Sequence, residues 1–194
     1  MRHTGRARQT MISETNSERN AMSGGENPTS RRQRIDEAVA WRRVGESERA
    51  REQLLALGAE FPDDAEIAYQ TACTHDALGL EAEAVPFYGK AIDGGEVLDP
   101  ADRQGAFLGL GSSYRALGRY PEAVTTLRRG VEEFPENGGL RTFLAMALHN
   151  TGEHGEAMRL LLHLLAATSR DPEVADYRKA IEYYADRLDE TWPA

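Results

Sequence analysis

From residue 31 onward, apolar and small residues recur at three- and four-residue spacings, without the strict alternation of a half-buried strand. The pattern predicts helices throughout and no strand. Turn signals divide it. Leu78-Gly79, Leu117-Gly118 and Thr151-Gly152 mark tight turns, Phe61-Pro62 and Phe134-Pro135 mark stops, and Asp99-Pro100 reads as an N-cap followed by proline at the first helical position.

Self-comparison exposes a repeat, the signature of stacked architectures. Gly45, Gly79, Gly118 and Gly152 lie 34, 39 and 34 residues apart, and Ala50, Ala84, Ala123 and Ala157 keep the same intervals. Ala38, Ala72, Gly111 and Ala145 give a small residue, followed three positions later by bulky Trp41, His75, Tyr114 and Leu148. Leu54, Tyr88, Leu127 and Leu161 complete the register. A small residue midway along a first helix lets a second approach closely, the bulky residue fills the gap beside it, and glycine permits the turn between them. One such hairpin cannot bury both faces, whereas stacked neighbours can.

On these residues the chain resembles the tetratricopeptide repeat family over about residues 31–170, and more narrowly its bacterial group-5 members. The third unit carries the most family residues, Gly111, Tyr114, Gly118, Tyr120, Ala123 and Pro135. The resemblance implies an all-α, right-handed α-solenoid of four hairpins, at 31–64, 65–98, 104–137 and 138–171, with residues 99–103 as the excess in the longer interval. His75 stands where an aromatic is usual. Pro86 predicts a late helix start near Glu83 or a local kink. Gly130, inside a helix, costs about 1 kcal/mol relative to alanine. Gly94-Gly95 and Gly138-Gly139 read as bends between hairpins.

Residues 172–191 read as a C-terminal capping helix whose stripe of Val174, Tyr177, Ile181, Tyr184 and Leu188 covers the last hairpin. The same stripe, with Tyr183 and Trp192 nearby, suits a homodimer seam, so a monomer and a dimer through this helix are both open.

Composition changes the picture at the N-terminus. Residues 1–30 are rich in Arg, Ser, Thr, Asn and Gly with little to bury, and are expected to be a disordered basic segment. It is read as a tail for an acidic partner, a regulatory segment, or a dispensable leader. Residues 1–34 carry net +4, leaving −13 for the remainder, a field that repels nucleic acid and anionic membranes. Cys73 is the single cysteine, no apolar leader is present in the first thirty residues, and all basic residues but Lys90 and Lys179 are arginine. A bacterial, cytoplasmic protein is the expectation.

No constellation of nucleophile, base or metal ligands emerges. Cys73 and His75 are two apart on one helix and point different ways. His149, His154 and His163, with Glu153 and Glu156, are wrongly spaced for one helix face, and Gly109 and Gly111 fall within a helix rather than after a strand. The chain is expected to be non-enzymatic, without metal or cofactor.

In the resembled family the first helix of each hairpin lines a concave groove. That implies rows of Ile35, Tyr69, Leu108 and Thr142, then Val39, Cys73, Ser112 and Met146, then Arg42, Asp76, Arg115 and His149, with Arg43 and Asn150 at the edge. Apolar rows beside two arginines suit a peptide or protein partner whose carboxylates meet Arg42 and Arg115. The second reading is a regulatory or sensory module whose groove takes a small ligand or signalling peptide. The Lys and Asn with which some family members clamp chaperone carboxylates are replaced here by Ile35 and Val39.

Overall fold

The computed structural model describes residues 28–94 and 98–192. It contains α1 (Pro28–Arg43), α2 (Ser47–Glu60), α3 (Ala65–Ala77), α4 (Glu81–Asp93), α5 (Pro100–Ala116), α6 (Tyr120–Glu133), α7 (Gly138–Thr151), α8 (His154–Thr168), α9 (Pro172–Asp176) and α10 (Arg178–Ala185), and among the described residues no strand.

The four repeat glycines do the same work in every hairpin. Gly45, Gly79, Gly118 and Gly152 sit at φ 88, 71, 73 and 86°, a region that strains any side chain. Beside each, two hydrogen bonds close the helix end. The glycine N–H donates to the carbonyl of Arg42, Asp76, Arg115 or His149 at 3.0–3.2 Å, and the next N–H to that of Trp41, His75, Tyr114 or Leu148 at 2.8–3.0 Å. This is the Schellman closure, so the bulky residue ending each first helix also terminates it. Across hairpins, Asp64 and Asn137 accept from the N–H groups of Ile67 and Leu140 at 2.9 and 3.0 Å, capping α3 and α7.

Each helix packs on the next, and α1, α3, α5 and α7 also pack on one another as an inner layer. The repeat alanines Ala50, Ala84 and Ala123 are fully buried, with Ala38 and Ala72 facing them. One core runs from Ala65 to Ala157, and a smaller one around Ile35, Leu54 and Ile67 joins the first hairpin to α3. His75 is 4% exposed and lies flat against Phe87, ring centroids 5.2 Å apart, so it fills the aromatic position as a ring.

Several local expectations give way. Of the segment 1–30, residues 28–30 belong to α1, and residues 1–27 lie outside the described residues. The helix α4 starts at Glu81 and runs through Pro86 rather than starting late. Pro86 and Ala82, whose carbonyl loses its N–H partner, are both exposed, so water can take that bond. Asp99 accepts from the N–H of Ala101 at 2.9 Å, and α5 begins at Pro100, turning most of the excess into an extra helical turn. Gly138-Gly139 form the first turn of α7 rather than a bend, with Asn137 as the cap, and Gly95 lies outside the described residues. A Cβ at Gly130 would stand 3.0–3.1 Å from Phe107 and Leu140, so that glycine buys close packing between α5, α6 and α7.

The C-terminal helix is broken at Tyr177 and ends at Ala185. Its apolar stripe is divided: Val174 and Ile181 are half-buried, Tyr177, Tyr184 and Leu188 are exposed, and Ala185 is the buried contact. A small residue suffices because α10 packs against α8, an attachment completed by His163 Nε2 and Asp186 Oδ1 at 3.0 Å. Tyr183, Tyr184 and Trp192 stack on each other.

Candidate functional site

The inner layer carries the three expected rows, at unequal depths. Ile35 is buried in the first hairpin's core, while Tyr69, Leu108 and Thr142 are half-buried beyond it. Val39, Cys73 and Ser112 are half-buried and Met146 is exposed. In the third row Arg42, Asp76 and Arg115 are half-buried, whereas His149, with Arg43 and Asn150 at the edge, is exposed.

The two arginines assigned to a partner's carboxylates are engaged inside the protein. Arg42 Nη1 donates to the Gln70 carbonyl at 3.0 Å and to Thr74 Oγ1 at 3.1 Å, and Nη2 to Gln70 Oε1 at 2.8 Å, tying α1 to α3. Arg115 Nε donates to Asn150 Oδ1 at 2.9 Å. Asp76 accepts from Tyr88 Oη at 2.7 Å and Ser113 Oγ at 3.0 Å. Burial pushes the Asp76 acid above the usual carboxylate range, against the pull of those two bonds. Burial likewise raises the Cys73 thiol, 3.7 Å from Tyr88 Oη, which makes it a poor nucleophile.

Two glycines of α5 shape this floor. A Cβ on Gly105 would collide with the Tyr69 hydroxyl, and one on Gly109 with the Tyr88 ring, so both tyrosines reach between α3 and α5 only because those positions are bare.

A cavity of about 740 Å³ opens at the N-terminal half of the groove, where α1, α3 and the start of α5 converge. Ile35, Val39 and Leu98 give it an apolar floor, and Arg31, Arg32, Asp36, Arg43, Glu66, Gln70, Asp99 and Asp102 a charged wall. Much of that charge is matched internally. Arg31 pairs with Asp64 and, at 3.3 Å, with Glu66, and Arg32 pairs with Glu66 at 2.8 Å and Asp36 at 3.1 Å. Among the described residues Asp102 has no ion pair. Burial raises its pKa, as do the neighbouring charges of Glu66 and Asp99. Of the cavity residues only Ile35, Val39 and Arg43 were singled out from sequence. Arg32, Asp36, Val39 and Arg43 follow one another at three- and four-residue spacing on α1, which is the signal for the wall, and Asp99 and Asp102 fall in the stretch that reads as excess.

A second hollow, about 510 Å³, lies between α7 and α8 and is lined by Arg115, Met146, His149, His154, Met158 and Leu161 among others. The His149 and His154 rings stand 4.8 Å apart, while His163 is held by Asp186. Among the described residues no three His, Cys, Asp or Glu side chains are grouped to hold a metal, and no helix is long and apolar enough to cross a membrane.

Comparison with known proteins agrees with this architecture. The family model described as Tetratrico peptide repeat (TPR_5) matches residues 65–188. A tetratricopeptide repeat protein from Parabacteroides merdae superimposes with TM-score 0.63 at 19% identity, covering 91% of this chain and 67% of that one. YrrB, a TPR protein with an unusual peptide-binding site, gives TM-score 0.61 at 23% identity over 81% of this chain and 78% of its own. A MamA structure gives 0.60 at 22% over 73% and 75%. At these identities the structural likenesses bear on the fold. No curated protein matches the sequence.

Proposed function

The chain belongs to the tetratricopeptide repeat family, and on that premise we propose that it is a non-enzymatic interaction scaffold whose concave groove takes a peptide or an exposed segment of a protein partner. The observation that carries this reading is the open cavity in the inner layer, whose exposed lining is mainly its charged wall and whose base offers half-buried Val39 above buried Ile35 and Leu98. YrrB, of the same fold, has a peptide-binding site, which supports peptide as the ligand class here.

The geometry changes which residues are assigned to the ligand. Arg42 holds α3, so recognition is given to Arg43, Asp102 and the floor. A peptide laying an apolar side chain over Val39 and a basic one beside Asp102 relieves the repulsion that Glu66 and Asp99 impose on that acid. The single cysteine and the lysine-poor composition support a bacterial cytoplasmic setting.

The test is selection of peptides from a random display library on the full chain, followed by calorimetric titration of those recovered. Val39→Glu and Asp102→Lys are expected to weaken binding at least about tenfold, while Glu132→Lys, at an exposed position of α6, leaves it unchanged. Peptides that bind all three variants as they bind the parent would move the site out of this cavity.

A further inference from the structure

The groove cavity is electrically lopsided. At the end where α1 begins, Arg31 and Arg32 are matched by Asp36, Asp64 and Glu66. Asp99 and Asp102, at the same end, have no ion pair among the described residues, and Asp99 uses one oxygen on the cap of α5. Of the arginines around it, Asp102 acts most strongly on Arg32, near the start of α1. Val39 lies two turns further along that helix. Arg43, exposed and without an ion pair among the described residues, lies one turn beyond Val39. Along α1 the groove therefore presents acid, apolar surface and base in that order, over about 17 Å from Arg32 to Arg43.

We propose that residues 6–14 of this chain lie along that groove in cis, as the peptide the cavity holds until a partner displaces it. The proposal rests on the reading of the cavity as a peptide site and names one occupant for it. Residues 1–12 carry Arg2, Arg6 and Arg8 and no acid, Met11-Ile12 close that stretch, and Glu14 follows. Base, apolar and acid thus come in the order that complements the groove. Laid out extended, Arg8 to Met11 covers about 10 Å and Arg8 to Glu14 about 20 Å. Along α1, Arg32 to Val39 covers about 10 Å as well. The match sets Arg8 beside Asp102, Met11 over Val39, and Glu14 within reach of Arg43. The chain must then return to Pro28, the first residue of α1, across roughly 22 Å. The fourteen steps from Glu14 to Pro28 span up to about 46 Å, so the connection is not taut. Residues 15–27 offer only Ala21 and Met22 as apolar side chains, a composition suited to a tether. Such a tether gives an effective concentration on the order of millimolar, which competes with an outside peptide without shutting it out.

The experiment is paramagnetic relaxation in the full chain, with a nitroxide on Thr10→Cys in a Cys73→Ala background and circular dichroism on every variant. The amide signals of Val39, Arg43 and Asp102 are expected to broaden at every chain concentration, while those of α8 stay sharp. Arg6→Glu with Arg8→Glu removes the broadening, and Asp102→Lys added to that pair returns part of it, a rescue that loss of folding cannot imitate. Peptides from the display library bind the Arg6→Glu, Arg8→Glu chain at least about tenfold more tightly than the parent, because their competitor is gone. Broadening that is absent, or that survives both glutamates, overturns the proposal. Broadening that fades on dilution gives the groove to a second copy's segment and overturns the contact in cis. Library peptides that reach the cavity of parent and double variant with equal affinity overturn this proposal and leave the peptide reading standing. Cavity broadening with no peptide recovered on either chain does the reverse, supporting the contact in cis and sinking the outside partner.

Discussion

The second hairpin and the fourth share a register but not an environment. In the second, α5 seals the seam between α3 and α4, and tyrosines, an acid and two glycine slots are locked beneath it. In the fourth, the positions of Cys73, Asp76, Val85 and Tyr88 hold Met146, His149, Met158 and Leu161, exposed beside a hollow of about 510 Å³. The difference teaches that in a stacked repeat a residue's role is set by the following repeat as much as by its own: leucine at this position is core in one hairpin and surface in another.

The largest expected effect tests that contrast directly. Leu127→Ala removes a fully buried side chain and should lower unfolding free energy by about 2–5 kcal/mol. Leu161→Ala, the same substitution at the same register position, should cost under about 1 kcal/mol when measured at concentrations where the chain is monomeric. Urea titrations of the two give the answer, and equal losses would abolish the distinction between sealed and open seats.

Glycine offers the next contrast. Gly109→Ala drives a methyl into the Tyr88 ring and should cost about 1–3 kcal/mol by overpacking. Combining it with Tyr88→Leu, the residue at the equivalent position of the next hairpin, should recover part of that loss. Gly155→Ala in α8 meets nothing within 4 Å and should be neutral or stabilise by about 0.5 kcal/mol through helix propensity. If both alanines destabilise alike in thermal melts, crowding beneath α5 is not the cause. Arginine gives a smaller step. Arg42→Ala deprives Gln70 and Thr74 of three donor contacts, for roughly 1–2 kcal/mol, while Arg115→Ala removes one contact to an exposed Asn150 and should stay within about 0.5 kcal/mol.

The legible part of the fold was its periodic part. Four glycines at matched intervals announce four left-handed turns because few other residues tolerate that backbone, and the bulky residues before them announce helix ends. What sequence withheld depends on pairs distant along the chain. Nothing local tells that Arg42 spends its donors on a residue 28 positions away, or that Gly105 and Gly109 exist for Tyr69 and Tyr88. Asp102 was hidden for a different reason: an interval that breaks the period reads as a linker, yet it folds as the extra turn of α5 and brings an acid to the cavity. In the tail, periodicity overstated burial, because α8 lies against only part of the apolar stripe: Val174 and Ile181 are half-buried while Tyr177, Tyr184 and Leu188 stay open.

The smallest effect concerns the acid itself. Asp76 and His149 occupy one register position, the first beneath α5 and the second open to water. Burial lifts the Asp76 pKa, with the charge of Glu81 adding to it, while Tyr88, Ser113 and His75 pull it down. A carboxylic acid whose folded pKa lies above its unfolded one binds more protons in the folded state between those two values. Its contribution to stability is therefore greatest below the unfolded pKa and is lost as pH rises through the folded one. Asp76→Asn removes that loss while still offering an oxygen to Ser113 and a polar partner to Tyr88. The variant's stability relative to the parent should thus improve as pH climbs through the window just above the ordinary carboxylate range, then hold constant toward neutrality. Urea titrations at stepped pH read this directly. A relative stability that is flat across the window, or that declines, would mean the Asp76 charge is as well solvated beneath α5 as it would be in the open seat of the fourth hairpin.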